Sequence, residues 1–206
     1  MQDAEYQNWQ RRWAEGQTGW DQGAKHPQLP TLLERARVEG GLKPAGRIHA
    51  AGCGRAHNEA YLAAQGYEVT AVDLVPEAIA AARGLYASQN RLTLVCGDAL
   101  TLDATERGTY AAIFDRAMLC ALPPDLRPIY VQVSWERLAP GGIWMGILFQ
   151  EVRNPVGPPF AVTEALAWEL FAPHFELCYA GASPDLAGAP AAIAAEWLCI
   201  WRRRDP

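Results

Sequence analysis

Two hydrophobic patterns alternate along the chain. Short apolar or β-branched runs read as strands at "RIHAAGCG" (47–54), "YEVTAVDL" (67–74), "RLTLVCGDA" (91–99), "YAAIFDRA" (110–117) and "GIWMGILFQ" (142–150). Between them, 57–65, 76–89 and 124–140 have helical composition. Gly66 stops the first, Pro76 suits the first turn of the second, and "PGG" closes the third. Such alternation implies a parallel sheet with helices on both faces. After residue 160 the style changes to a helix (163–172) and two strands (175–181 and 194–203) joined by a Pro/Gly/Ala loop. So direct a connection predicts antiparallel pairing. The fold class is therefore α/β, a doubly wound, mostly parallel seven-stranded sheet with a reversed C-terminal hairpin strand. No element is assigned before residue 47. The stretch "WAEGQTGWDQ" (13–22), with Trp9 just upstream, places large aromatics in a segment too irregular to read as core.

The first strand ends in the turn "AAGCGRAHN". In doubly wound sheets ligands sit at the carboxyl ends of the strands, where glycines let backbone and ligand approach closely. A dinucleotide fingerprint requires G-x-G-x-x-G, and its third position here is His57. Asp73 ends the second strand, where a carboxylate can accept both hydroxyls of a ribose. Asp98, in "CGDA", closes the third, within reach of an adenine amino group. Glycine turn, acid and acid at these intervals fit an adenosine without a pyrophosphate, and S-adenosylmethionine is such a ligand.

Composition narrows the partners. The 206 residues carry a net charge of −5, so a basic surface for nucleic acid is not expected, and Arg202–Arg204 read as a solvated end. No apolar run approaches the roughly 20 residues that span a bilayer, and "MQDAEYQNWQ" does not read as a signal peptide. The five cysteines, Cys53, Cys96, Cys120, Cys178 and Cys199, are widely spaced without CxxC. They read as reduced thiols of a cytoplasmic protein with no metal site. Repeats and linkers are absent, so residues 1–206 read as one domain.

"AAGCG", "AVDL" and "CGDA" resemble the cofactor motifs of class I S-adenosylmethionine-dependent methyltransferases. "IFDRAMLCALPPDLRPIYVQ", "LAPGG", "VGPPFAVTEALAWELFAPHFEL", "WQRRWAEGQTGWDQ" and "HPQL" narrow this. Together they resemble the thiopurine S-methyltransferase family and its thiol and halide methyltransferase relatives. The resemblance implies an N-terminal lid, residues 1–25, whose Trp9, Trp13 and Trp20 close over the cofactor. Aromatic faces there also suit a sulfonium cation. It further implies that Ala51 and Gly52 meet the methionine end and that Asp73 and Leu74 meet the ribose. Asp98 and Ala99 would border the adenine, and Arg116 would lie beside cofactor and substrate as the catalytic arginine. Asp115 is read as holding Arg116. His57 has two open readings, a pocket base or a helix-cap residue. The family's recognition of thiopurine also uses an arginine before the last strand. The corresponding "ASPDLAGAPAAIAAEW" offers none, which points away from thiopurine itself.

Methyl transfer is an in-line displacement that mainly needs alignment in a dry site. A thiol is partly ionised near neutral pH, so the lack of an obvious base fits a soft nucleophile. The leading reading is a small-molecule S-methyltransferase, monomer favoured. N- or O-methylation of a small metabolite, a non-catalytic module and a nicotinamide enzyme stay open. The loops at 151–160 and 181–193 are where an acceptor would be chosen.

Overall fold

The computed structural model describes residues 3–153, 156–183 and 191–205. One seven-stranded sheet organises the chain, built from β1 (Arg47–Ala51), β2 (Glu68–Asp73), β3 (Leu92–Cys96), β4 (Tyr110–Arg116), β5 (Leu138–Val152), β6 (Phe175–Ala182) and β7 (Ile193–Arg203). Their order is β3-β2-β1-β4-β5-β7-β6. The first five are mutually parallel, and β7 runs antiparallel to both β5 and β6. The chain leaves β1 toward β2 on one side and later returns to β4 on the other. The switch point of this doubly wound sheet thus lies between β1 and β4, with a reversed strand inserted near the far edge.

Six α-helices flank the sheet: α1 (Asp3–Ala14), α2 (Leu29–Val38), α3 (His57–Ala64), α4 (Pro76–Tyr86), α5 (Arg127–Arg137) and α6 (Glu164–Phe171). The two-residue alternation of β5 separates the cores. Ile143, Met145 and Ile147 pack with Leu29, Leu32 and Leu33 of α2 and with Leu62 of α3. Trp144 and Leu148 face the opposite way, with Tyr130 of α5 and Phe171 of α6. Trp144 and Phe171 meet edge to face at 4.6 Å, and Phe171 stacks on Trp201 of β7 at 5.3 Å. Gly146 lies between them because a Cβ there would come within 2.5 Å of the Trp144 ring.

Every element expected after residue 47 is present with shifted ends; α5 stops at Arg137 and β5 starts at Leu138, so "PGG" lies within the strand and does not close the helix. The "GCG" turn cuts β1 at Ala51, because Gly52 and Gly54 adopt φ of 63° and 54°. Before residue 47, where the sequence pattern was assigned no element, the chain forms α1 and α2. Leu29, Leu32, Leu33 and Ala36 are a helical stripe with Pro30 in the first turn, and all four are buried. In α1 the stripe is only Tyr6, Trp9 and Trp13 on an otherwise polar helix.

Beneath the sheet's carboxyl edge, Arg137 ties loop to helix. Its guanidinium donates to the carbonyls of Ala99, at 2.7 Å, and Thr101, and pairs with Glu106. The neighbouring His49 of β1 is buried edge to face with Tyr110 at 5.3 Å. Burial and the Arg137 charge pull its pKa from 6.5 to about 3. The unfolded chain therefore takes up a proton near pH 6.5 that the native state refuses, and native stability falls as pH drops through that window. His49→Phe should lose roughly 2 kcal/mol less than the wild type between pH 7.5 and 5. Urea unfolding at the two pH values measures this, and equal losses in both proteins would contradict it.

Candidate functional site

The carboxyl ends of the parallel strands enclose a cavity of about 400 Å³. Gly52 and Gly54 contribute from the turn after β1, Asp73, Leu74 and Val75 from the end of β2, and Gly97 and Ala99 from beyond β3. Ala117, Met118 and Cys120 follow β4, and Phe149, Pro158 and Pro159 form the far wall. Trp9, Trp13 and Trp20 cover it. Among the described lining residues, the charged side chains are Arg12 and Asp73.

Asp73 organises the glycine turn. Its carboxylate accepts the Gly54 N–H at 2.8 Å and the Val75 N–H at 2.9 Å. Burial pushes its pKa up, against the stabilising N–H groups of Val75, Gly54 and Leu74. At Gly52 the constraint is close approach as well as φ, since a Cβ would come within 3.0 Å of the Met118 sulfur. Asp98 accepts the Leu100 N–H at 2.9 Å and turns the chain so that Gly97 and Ala99 face the cavity.

Asp115 does not hold Arg116, as the sequence reading had it. It is buried, and accepts the N–H groups of Met118 at 3.2 Å and Leu119 at 3.1 Å. It thereby fixes the cavity-lining segment after β4, where Ala117 takes a φ of 72°. Burial raises its pKa to about 6, against these donors and Arg116.

The tryptophans of the N-terminal segment pack on one another. Trp20 meets Trp9 at 5.4 Å and Trp13 at 6.3 Å, both edge to face. The Arg55 guanidinium lies 5.1 Å over Trp13 and pairs with Asp21. Arg116 donates to the Trp20 carbonyl at 3.2 Å and lies 5.6 Å over Phe149. The segment is thus tied to the glycine turn and to the end of β4.

Arg116 lines a second, smaller chamber of about 60 Å³, as do Glu59, His57, Asp21 and His26. The two spaces share Gly52, Gly54, Trp20 and Ala117 as walls. His57 bonds the Tyr86 hydroxyl at 2.7 Å and lies 3.3 Å from Asp21, so it bridges α4 and the N-terminal segment. His26 accepts the Gln28 N–H at Nδ1, which leaves Nε2 to donate to buried Glu196 at 2.9 Å. Glu59 is buried at the third position of α3, and its Oε2 has no hydrogen-bond partner. The sequence reading passed over His26, Glu59 and Glu196. Glu59 sits in the first turn of a helix, where an acid is ordinary, and the other two are 170 residues apart.

Among the described residues, no three His, Cys, Asp or Glu side chains gather as a metal site, and no helix is long and apolar enough to cross a membrane. All five cysteines are free. Residues 154–155 and 184–190, within the loops expected to choose the acceptor, lie outside the described residues, as do residues 1–2 of the expected lid.

A doubly wound sheet with a reversed penultimate strand, and a cavity between a glycine turn and the acid ending β2, define a class I S-adenosylmethionine-dependent methyltransferase. Two solved structures share the fold. The 1,6-didemethyltoxoflavin N1-methyltransferase of Burkholderia thailandensis superimposes with a TM-score of 0.75 at 24% identity, over 97% of this chain and 87% of that one. The N-methyltransferase NodS of Bradyrhizobium japonicum gives 0.74 at 16% identity, over 98% and 100%. The family profile described as thiopurine S-methyltransferase matches residues 4–195, and the chain belongs to that family. It is 31% identical to the thiopurine S-methyltransferase of Xanthomonas campestris pv. campestris, over 82% of this chain and 83% of the relative. Identity to that of Nitrosomonas eutropha is 32%, over 83% of each chain. Thiocyanate methyltransferase 1 of Arabidopsis thaliana is 29% identical, over 80% and 71%.

Replacing Asp115 by alanine would leave the Met118 and Leu119 N–H groups buried without an acceptor, at about 1–3 kcal/mol each. Asp115→Ala should therefore lower the unfolding free energy by at least about 2 kcal/mol, read by chemical denaturation. A loss of a few tenths would show that the segment after β4 holds itself.

Proposed function

We propose that this enzyme transfers the methyl group of S-adenosylmethionine to a small thiol or another soft nucleophile. One observation carries the reading: a single cavity runs from the glycine turn and Asp73 to an apolar wall of Phe149, Pro158 and Pro159. The residues fit the donor. Gly52 and Gly54 present backbone where a side chain would fill space, Asp73 offers a carboxylate at the cavity wall, and three tryptophans face inward from above. Asp73 and Leu74 then take the ribose, Ala99 and the Asp98 turn border the adenine, and Ala51 and Gly52 meet the methionine end. Residues 1–25 act as the lid of a single domain.

When bound, S-adenosylmethionine supplies a methyl group activated by the adjacent sulfonium. The chain aligns donor and acceptor and excludes water, in a cavity walled mainly by apolar side chains. Arg116 stays protonated at any working pH, so it takes no proton from the acceptor. Its charge favours an anion in the smaller chamber that it lines. The relatives are named for sulfur acceptors, thiopurine and thiocyanate, which supports attack through sulfur. The acidic net charge and free cysteines support a cytoplasmic enzyme, monomeric and without nucleic-acid partners.

Titration calorimetry should show binding of S-adenosylhomocysteine and none of NAD. Asp73→Ala should weaken the former by roughly 1.5–3 kcal/mol. Tight NAD binding without a response to S-adenosylhomocysteine would overturn the donor.

The acceptor is tested by pH–rate profiles for thiols of graded acidity beside matched alcohols and amines. Rates with thiols should rise toward each thiol's own pKa and level off. Arg116→Lys, which lacks the planar two-pronged contact, should be impaired, and Arg116→Ala more so. Turnover of alcohols or amines but not thiols would move the methyl to oxygen or nitrogen.

A further inference from the structure

The small chamber behind the glycine turn has features that the main cavity does not need. It is about 60 Å³, so it admits a small polar group and no ring. Its wall holds two carboxyls and two guanidinium groups: Asp21 and Arg55 pair with each other, which leaves the buried Glu59 carboxyl and Arg116 as the other two charged groups. Glu59 Oε2 is buried without a hydrogen-bond partner, so a donor arriving in the chamber would relieve the cost of its desolvation. A side chain serving only the core of α3 could be apolar, like its neighbours Ala60, Leu62 and Ala63. The chamber shares Gly52 and Gly54 with the main cavity, so a ligand lying on the turn reaches both spaces.

From this arrangement we infer that the chamber is a subsite for a zwitterionic α-amino acid group, with Glu59 accepting the ammonium and Arg116 facing the carboxylate. The inference rests on the proposed methyl donor, whose methionine end is such a group, and assigns Glu59 to hold it. No covalent step is involved. The juxtaposition of acid and cation selects a ligand carrying both charges over a nucleoside that carries neither.

Binding should also move a proton. Burial, together with the Asp73 charge, raises the Glu59 pKa to about 8, against its own backbone N–H and Arg116. The other titratable groups facing Glu59 are Cys53 on the turn and Tyr86 on α4. Across the chamber stand the Asp21–Arg55 pair, His57, and His26 with Glu196 behind it. At pH 6.5 the ligand-free Glu59 therefore holds its proton. An ammonium placed against it favours the carboxylate, so binding releases close to one proton. Release fades as pH rises past about 8, where the free side chain is already ionised.

The experiment compares S-adenosylhomocysteine with 5′-methylthioadenosine, which lacks the amino acid group, by calorimetry in buffers of different ionisation enthalpy at pH 6.5. Glu59→Gln should weaken S-adenosylhomocysteine about tenfold or more, leave methylthioadenosine within about twofold, and abolish proton release. If the wild type binds both ligands and Glu59→Gln binds them in the same ratio, the inference is overturned while the donor reading stands. If the wild type binds neither, the donor reading fails and takes the inference with it. Should Glu59→Gln not fold, the wild type decides: release near one proton supports the subsite, and no release at pH 6.5 overturns it.

Discussion

The site depends on one bond beside the switch point, from the Gly54 amide to the Asp73 carboxylate. It joins the turn after β1 to the end of β2 and so sets how the backbone meets a ligand. The turn itself is possible only because Gly52 and Gly54 take positive φ without a Cβ penalty. Asp73 also accepts the Val75 amide at the start of α4, so one carboxylate aligns two strand ends and a helix entry. Desolvation works against its charge, and three backbone donors offset that cost. A ligand that hydrogen-bonds Asp73 therefore meets a carboxylate already oriented on both sides.

Most of this frame was legible from pattern. Strand periods of two and helical stretches between glycine and proline punctuation located every strand and α-helix after residue 47. The acids ending β2 and following β3 stood out because they sit at fixed intervals from "GCG". What escaped the reading did so for physical reasons. In α1 the large apolar side chains are Tyr6, Trp9 and Trp13, too few to outweigh glutamines and arginines. Leu29, Leu32, Leu33 and Ala36 did carry a helical period, and α2 was legible but went unread. Asp115 illustrates a different limit. Sequence adjacency suggested a partnership with Arg116, but adjacent side chains on a strand point to opposite faces, and Asp115 bonds the turn beyond β4 instead. The His26–Glu196 pair joins residues that only folding brings together.

The two spaces at the carboxyl edge separate apolar from polar work. The main cavity is walled by tryptophan, proline, phenylalanine and small residues, and a soft nucleophile needs little more than such a dry surface. Asp73 and Arg12 border that cavity, and further ionisable groups collect one layer behind, around Arg116, Glu59, Asp21 and His57. Trp20 stands between the layers. It covers the cavity with its ring and accepts Arg116 through its carbonyl, so the N-terminal segment and the end of β4 are mechanically linked. The aromatic cover and the arginine are therefore joined by a direct contact.

An orphaned buried atom is not by itself a sign of function, and His49 shows why. Its Nε2 also lacks a partner, yet the ring packs against Tyr110, lines neither space, and has only the positive charge of Arg137 nearby. Burial and that charge both favour the neutral ring, so the environment is consistent with a permanently uncharged core residue. Glu59 differs on each count. It borders open polar space, and the charges around it conflict, Asp73 opposing ionisation and Arg116 favouring it. A carboxyl balanced in this way changes state when one more cation arrives, whereas a histidine biased from both sides does not. The distinction follows from geometry and sign together, and it separates a residue that stabilises the sheet from one positioned to read a ligand.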